Sequence, residues 1–480
     1  MKYQPTIGLE IHVELNTKTK MFCSCLNNSN ENRPNVNICP VCTAQPGSLP
    51  VINEEAVRKV IKTGLALNCH IPEHSKFDRK NYFYPDLPKG YQISQYDMPF
   101  CNEGFLEVNG KRIKIRRVHL EEDTGKLIHP NGEDYSLVDF NRAGVPLMEL
   151  VTEPDLKSAK EARKFAEELR TILRYLGVSD ADMEKGQMRV EANISLGKNQ
   201  KLGTKVEVKN LNSFRIVEKA IDYEIVRQAK VLKSGKKIVQ ETKGWDENKG
   251  VTVSQREKEE AHDYRYFPEP DLPPLRIAKE LTKEIKEEIP ELPRQRRERL
   301  KSEYEIREEE ADILVQNKSL GEYFEKVVSE FEPRLSHQEL LKLIRIAVNY
   351  LITDLQGLLK GVLVSDEDFL ITPENFAEFI TLIHQGKISS RIAKIVLSDM
   401  FATGVDPSHI IEEKELVQLT DTVEIKKIVE DVVSKNEKVV QDYQKGKTAA
   451  LQFLVGQVMA QTKGKASPEI VNKVLKEILG

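Results

Sequence analysis

Nine residues near the start of the chain, Ile7-Gly-Leu-Glu-Ile-His-Val-Glu-Leu15, restrict the fold more than any other stretch. Ile7, Leu9, Ile11, Val13 and Leu15 alternate with Gly8, Glu10, His12 and Glu14. Period two predicts a strand whose faces are chemically opposite, one aliphatic and one acidic with an imidazole. A sheet face in a core accounts for the aliphatics. The opposite face is either solvated or part of a site, and the rest of the chain has to decide.

Cysteines come next. Cys23-Ser-Cys25 is followed by thirteen residues and then Cys39-Pro-Val-Cys42. Each pair is too tight for a comfortable internal disulfide, yet each can place two thiolates on one ion. Four sulfurs suit tetrahedral zinc. All four positions being cysteine leaves none open, so the metal is expected to staple the loop and not to catalyse; the alternative is four reduced thiols. With four of six cysteines so used, a reducing compartment is expected. No charged-then-apolar leader and no run of about 18 apolar residues is present, so a cytoplasmic protein without a membrane span is the expectation. The 480 residues allow two to four domains. A net charge of −4 with 31% charged residues gives no general nucleic-acid signal, so any such contact comes from local patches.

Further along, helical spacing follows Asn53, and Asn109-Gly110 marks a hairpin before a strand at Lys111–Val118. That strand ends in Glu121-Glu122-Asp123. Three adjacent carboxylates repel unless solvated or bound to a cation, and oxygen ligands are what Mg²⁺ takes. Lys76–Gln92 reads as a loop of interleaved basic and aromatic residues. In it Arg79, Lys80, Tyr82 and Tyr84 are candidates to hold phosphates or stack on a base, against a plain surface loop. Ser136–Pro154 reads as a buried strand with a turn bearing Asn141 and Arg142. Lys157–Gly177 is an amphipathic helix. Strands at Met188–Leu196 and Thr204–Lys209 carry Arg189, Glu191, Asn193, Lys205, Glu207 and Lys209 as polar members. Asn210–Arg215 opens a helix to about Lys233, whose N-terminus suits an anion. Asp263–Pro274 is extended and fixed by proline. From about Ile277 the pattern is helical, with an apolar helix over Leu340–Leu359 and a turn at 463–468. Gly446-Lys-Thr448 is no phosphate loop, because Gln441 stands where that loop needs glycine and no strand leads in.

The run Leu-Val-Asp-Phe-Asn-Arg-Ala-Gly-Val-Pro-Leu-Met-Glu-Leu-Val-Thr-Glu-Pro at 137–154 resembles the signature of the B subunit of the tRNA-dependent amidotransferases. Residues 7–15, 76–92, 119–126, 209–214 and 263–274 are similar to the same family, and the resemblance spans the chain. It implies an α+β fold: a cradle of mixed β-sheet and helix at 1–292 with the zinc-stapled loop, an all-α helical domain at 293–405, and an all-α C-terminal tail at 406–480 that binds tRNA. It also implies a heterotrimer with an amidase subunit and a small third subunit. Such a complex is a ligase forming C–N bonds with glutamine as amido donor. ATP phosphorylates the side-chain carboxylate of Glu-tRNA(Gln) or Asp-tRNA(Asn), and ammonia channelled from the amidase displaces the phosphate. No room for an archaeal-type inserted domain is left between Pro274 and Ile277, which points to the bacterial form.

The resemblance assigns Glu10, His12, Glu121, Glu122, Glu191 and Glu207 to the Mg²⁺-ATP and acyl-transfer site, with Glu10, His12 and Glu122 as Mg²⁺ ligands. Many family members carry aspartate where Glu191 stands. His12 is an unusual partner for Mg²⁺; binding Mn²⁺, acting through water or orienting a phosphate are the options. Arg79, Lys80, Lys205 and Lys209 are candidate phosphate cations, Tyr82 a nucleotide contact, and Asn141 and Arg142 pocket walls or holders of the terminal adenosine. The residue chemistry agrees: an oxygen of a carboxylate is a poor leaving group, and phosphoryl transfer is mostly positioning and charge neutralisation. The competing class is a module that only presents tRNA. Converging carboxylates speak against it, since without a metal they repel phosphate.

Overall fold

A computed structural model of the chain describes residues 3–198, 201–257, 264–416, 422–462, 465–466 and 468–479. Asp263, and residues 463, 464 and 467 of the expected 463–468 turn, lie outside them. The chain divides into two compact units, Met1–Pro293 and Arg294–Gly480.

The first unit is built on an eight-stranded sheet in the order Val251–Glu257, Glu241–Asp246, Val206–Leu211, Met188–Gly197, Gln4–Glu14, Pro146–Thr152, Lys111–Glu122, Cys101–Val108. Its pairs are antiparallel except Val206–Leu211 with Glu241–Asp246. The strand from residue 4 to 14 lies fourth from one edge, and Ile7, Leu9, Ile11 and Val13 are buried in the main core. Helices Glu54–Ala66, Ala159–Tyr175 and Phe214–Lys233 pack into that core. Asn53, Ser158 and Ser213 start them, each accepting a hydrogen bond from an amide of the first turn, which is worth about 1 kcal/mol per cap. Because the sheet repeats every two residues, the face turned from this core collects the polar set of every strand. A one-residue slip in any strand would exchange the sets.

Of three register shifts in the described sheet, two set the polar side chains that matter most here. In Lys111–Glu122, Ile113 and Ile115 are buried before the break, Val118 and Leu120 after it. The register shift between Ile115 and Arg117 absorbs the odd residue and puts both Arg116 and Arg117 on the non-core side. Opposite Glu191, residues 209 and 210 occupy the space of one, with Asn210 at φ +61°, a conformation asparagine tolerates better than most residues.

The structure adds elements that the pattern did not reveal. Within 76–92, Asp78–Asn81 and Tyr91–Ser94 are paired strands, joined by Phe267–Pro268 into a small sheet. Glu241–Asp246 and Val251–Glu257 are strands whose residues show no apolar alternation. In the second unit every described element is a helix. The apolar stretch at 340–359 is not one regular helix: His337–Asn349 passes into a π-helical turn at Tyr350–Leu355 and then a short helix, Gln356–Leu359. Residues between Ile425 and Leu479 form an apolar cluster of their own.

Candidate active site and zinc loop

Cross-strand register sets out the polar face in rows. Arg117, Val151, Glu10 and Glu191 form one row; His119, Glu149, His12 and Arg189 form the next. Gly8, Asn193 and Glu207 lie on the other side of Glu10. Across these rows opens a cavity of 560 Å³, lined in part by Glu10, Lys80, His119, Glu149, Asn193, Lys205, Glu207, Lys209, Tyr264 and Tyr266.

Glu149 is the centre of the second row. Its carboxylate lies 3.3 Å from His12 Nε2 and 3.4 Å from His119 Nε2, and Glu121 completes the ring at 3.7 and 3.6 Å from the same two nitrogens. Burial opposes its charge, but His119 and His12 hold Glu149 well below the usual carboxylate range. Burial likewise opposes a charged His12; the hydrogen bond to Glu149 and the charges of Glu149, Glu121 and Glu191 outweigh it and push the imidazole up to about 9. Lys80 stays charged against burial because Glu121 and Glu149 face it. Its ammonium sits 5.1 Å from the Tyr264 ring and 5.9 Å from that of Tyr82.

Glu10, Glu191 and Glu207 bring carboxylate oxygens within 4.8 Å of one another. Lys209 Nζ is 2.7 Å from Glu191 and 4.0 Å from Glu207, and Thr242 Oγ1 donates to Glu207 at 2.6 Å. Burial, then the charge of Glu149, raises Glu10 to about 7 against the pull of His12 and Lys209. Three oxygen donors fit Mg²⁺. His12 forms with Glu10 and Glu149 a second group whose ligand atoms lie within 4.8 Å of one another, a mixed nitrogen–oxygen set less suited to Mg²⁺ than three oxygens.

The residues expected from sequence therefore divide. Glu10, Lys80, Lys205, Glu207 and Lys209 line the cavity, with His12, Glu121 and Glu191 against its charged wall. Tyr82 stands behind Lys80. Glu122 is not with them. Its carboxylate accepts from the Ile93 amide at 3.0 Å and pairs with Lys89, since adjacent strand residues point to opposite faces. Arg79 is taken up by Glu269, with two bonds of 2.8 Å, and lies over Tyr91; it anchors the proline-rich segment to the small sheet. Arg142 donates to the carbonyls of Thr124 and Gly125.

Asn141, 1% exposed, accepts from the amides of Val36 and Asn37 at 2.9 Å each and donates to the Arg33 carbonyl at 2.7 Å. It therefore ties the cysteine loop to the sheet, and its carbonyl oxygen is taken up by backbone amides rather than by a nucleotide. Asn141→Ala should cost about 2–3 kcal/mol, from three backbone groups losing their partner. A lowered melting temperature with unchanged KM for tRNA is the expected pair of results.

Sequence reading also missed Glu149, His119 and Asn193. The signal for Glu149 was present, as one carboxylate inside the apolar run Pro-Leu-Met-Glu-Leu-Val.

The four cysteine sulfurs lie within 4.8 Å of one another, and the Cys39 and Cys42 sulfurs are 3.8 Å apart. Zinc–sulfur bonds of about 2.3 Å in a tetrahedron give an edge of about 3.8 Å. The Cys39 amide donates to Cys42 Sγ at 3.2 Å, and the buried Lys20 ammonium lies 3.8 Å from it. A hydrogen bond from Cys23 and the charge of Lys20 bring Cys42 down to about 5, against burial. The donor set fits a closed zinc site.

Residues 5–283 match the GatB/GatE catalytic domain, and residues 322–479 match the GatB domain that carries the YqeY name. The chain is 52% identical to a protein of Persephonella marina over the whole length of both. It is 50% identical to one of Thermotoga petrophila, covering all of this chain and 99% of the relative, and 48% identical to one of Thermoanaerobacter pseudethanolicus, covering all of both. Each of the three is named as the B subunit of an aspartyl/glutamyl-tRNA(Asn/Gln) amidotransferase. A sheet whose buried carboxylates meet lysines over one cavity, in a chain matched end to end by such relatives, belongs to the family of amidotransferase B subunits that carry the GatB/GatE catalytic domain.

Proposed function

We propose that this chain activates the side-chain carboxylate of Glu-tRNA(Gln), Asp-tRNA(Asn) or both with ATP, and hands the activated acyl group to ammonia supplied by the amidase subunit of a heterotrimer whose third member is small. The observation that carries this reading is the convergence of Glu10, Glu191 and Glu207 with Lys209 in the cavity. A carboxylate oxygen of the aminoacyl group attacks the γ-phosphorus of ATP and ADP leaves. Ammonia then attacks the acyl carbon and inorganic phosphate leaves. Lys80, Lys205 and Lys209 offset phosphate charge. The Glu149 carboxylate keeps His12 and His119 oriented at the cavity's charged wall. Mg²⁺ held by Glu10, Glu191 and Glu207 would supply neutralisation of the β- and γ-phosphate oxygens. Zinc held by Cys23, Cys25, Cys39 and Cys42 would be structural.

The three-part division at 1–292, 293–405 and 406–480 belongs to the same proposal and is supported by the separate apolar cluster of the last part. The reaction takes place where tRNA is charged, in the cytoplasm; among the described residues no helix is long and apolar enough to cross a membrane.

The test is ADP release by the purified complex given Glu-tRNA(Gln) and ATP but no nitrogen donor, with hydroxylamine added to trap the acyl phosphate as a hydroxamate. Glu-tRNA-dependent ADP and hydroxamate support the reading; neither appearing sinks it. Protonation of Glu10, which titrates at about 7, removes one charge from the trio. The KM for Mg-ATP should accordingly rise as pH falls through about 7, toward tenfold per pH unit. A KM flat from pH 8 to about 6 would show that Glu10 is not a ligand.

A further inference from the structure

Among the described residues, five arginines on or beside the polar face bear on the cavity, and four are committed. Arg116 forks onto Glu153 at 2.8 and 3.0 Å, Arg79 onto Glu269, Arg142 onto two carbonyls, and Arg189 onto Asp123. Arg117 differs. Its Nε is buried without a hydrogen-bond partner, and its nearest carboxylate oxygen among the described residues, on Glu149, is 3.8 Å away. It lines the cavity together with His119 Nδ1 and Asn193 Oδ1, which are also buried without partners. The bulge at Ile115–Arg117 puts it there; uninterrupted alternation would turn it into the core. Asn193 Oδ1 is an acceptor, so the donor that an anion meets here is the Arg117 Nε–H; a buried donor left unmet destabilises a fold, and a ligand that meets it binds with that much more advantage.

The position of Arg117 selects the ligand. In the row of Glu10, it stands at the opposite end from Glu191 and Lys209, with the uncharged Val151 between it and Glu10. Polyphosphate and its cation belong at the Lys209 end. In an in-line transfer the acceptor stands on the far side of the γ-phosphorus from the leaving ADP. A guanidinium fork matches a carboxylate edge on. We propose that Arg117 clamps the side-chain carboxylate of the aminoacyl group, the acceptor of the phosphoryl transfer. This rests on the functional reading above and adds the group that holds its second substrate.

The experiment measures single-turnover ADP release from pre-bound Glu-tRNA(Gln) in the intact complex, with wild type, Arg117→Lys and Arg117→Ala. Lysine keeps charge and most of the length, so the fold is kept while the fork is lost. Both variants should release ADP about 10- to 100-fold more slowly, as expected for loss of a charge-assisted pair. KM for ATP should stay within about twofold of wild type, because the phosphates lie elsewhere. Guanidinium ion should restore part of the rate to Arg117→Ala and none to Arg117→Lys. An unchanged rate in both variants overturns the assignment. So does a KM for ATP that rises in step with the loss, which would put Arg117 on the phosphates. Wild type releasing no ADP with Glu-tRNA(Gln) fails the functional reading at its own test; release in wild type with indifferent variants fails Arg117 alone.

Discussion

Glu149→Gln should lower aminoacyl-tRNA-dependent ADP release by about 10³-fold, while glutamine hydrolysis by the rest of the complex stays within about twofold. Glutamine keeps the size of the side chain and removes its charge. That charge is what His12 and His119 share at 3.3 and 3.4 Å, and what faces Lys80 in a buried setting. Removing one member of a buried charge network costs about 3–5 kcal/mol, because the partners keep their desolvation and lose their counter-charge. Spent on the geometry of the transferring group, about 4 kcal/mol is a factor of about 10³. A second readout separates this from simple unfolding. Without Glu149, the hydrogen bond and the largest opposing charge that lift His12 to about 9 are gone, so its titration should move down by more than one unit toward the ordinary histidine range of about 6.5. NMR titration of His12 in the variant checks it. Activity within tenfold of wild type, or an unmoved His12, would show that Glu149 is only a strut. Glu122→Gln is the contrast: its carboxylate lies off the polar face beside Lys89, so ADP release should change by far less.

Glu122 also shows what the sequence can and cannot tell. The alternation at 7–15 correctly indicated a strand with one buried and one acidic face, and the same period makes Glu121 and Glu122 point apart. The resemblance places both in one site, and strand geometry separates them. Glu149 was legible as a carboxylate within an apolar run, but its importance comes from pairing with two strands distant in sequence. Arg117 depends on a bulge, whose only trace in the sequence is the break in alternation at Ile-Arg-Arg-Val. Asn141 has the residue type of a ligand holder, and its use as a pin appears only when residues 33–37 fold back over it. The strands at 241–257 escaped notice because polar residues and glycine occupy buried positions there, Thr242, Lys243 and Gly244 among them. Tertiary neighbours, and not intrinsic pattern, make that segment extended.

The zinc loop leads to the second large effect. Cys42→Ser should abolish bound zinc and lower the melting temperature more than Cys25→Ser, although each removes one of four ligands. The reason is Lys20. Its side chain is fully buried, and its ammonium meets the Cys42 sulfur at 3.8 Å and the Phe140 carbonyl at 3.2 Å. The hydrogen bond from Cys23 and the Lys20 ammonium favour the thiolate form of Cys42, so its sulfur offsets that charge. Serine keeps its proton and cannot. Cys42→Ser therefore strands a buried ammonium as well as opening the zinc site, and stranded buried charges cost about 3–5 kcal/mol. Cys25 is only half-buried and contacts no such cation in the described structure. For a unit of this size about 2–4 °C accompanies each kcal/mol, so the Cys42 variant should melt about 6–20 °C below wild type and several degrees below the Cys25 variant. Zinc content by mass spectrometry and melting curves in the intact complex decide it. Equal melting temperatures for the two variants would mean that Lys20 finds another partner once the sulfur is gone. Unchanged zinc content in either would mean that the four sulfurs do not share one ion.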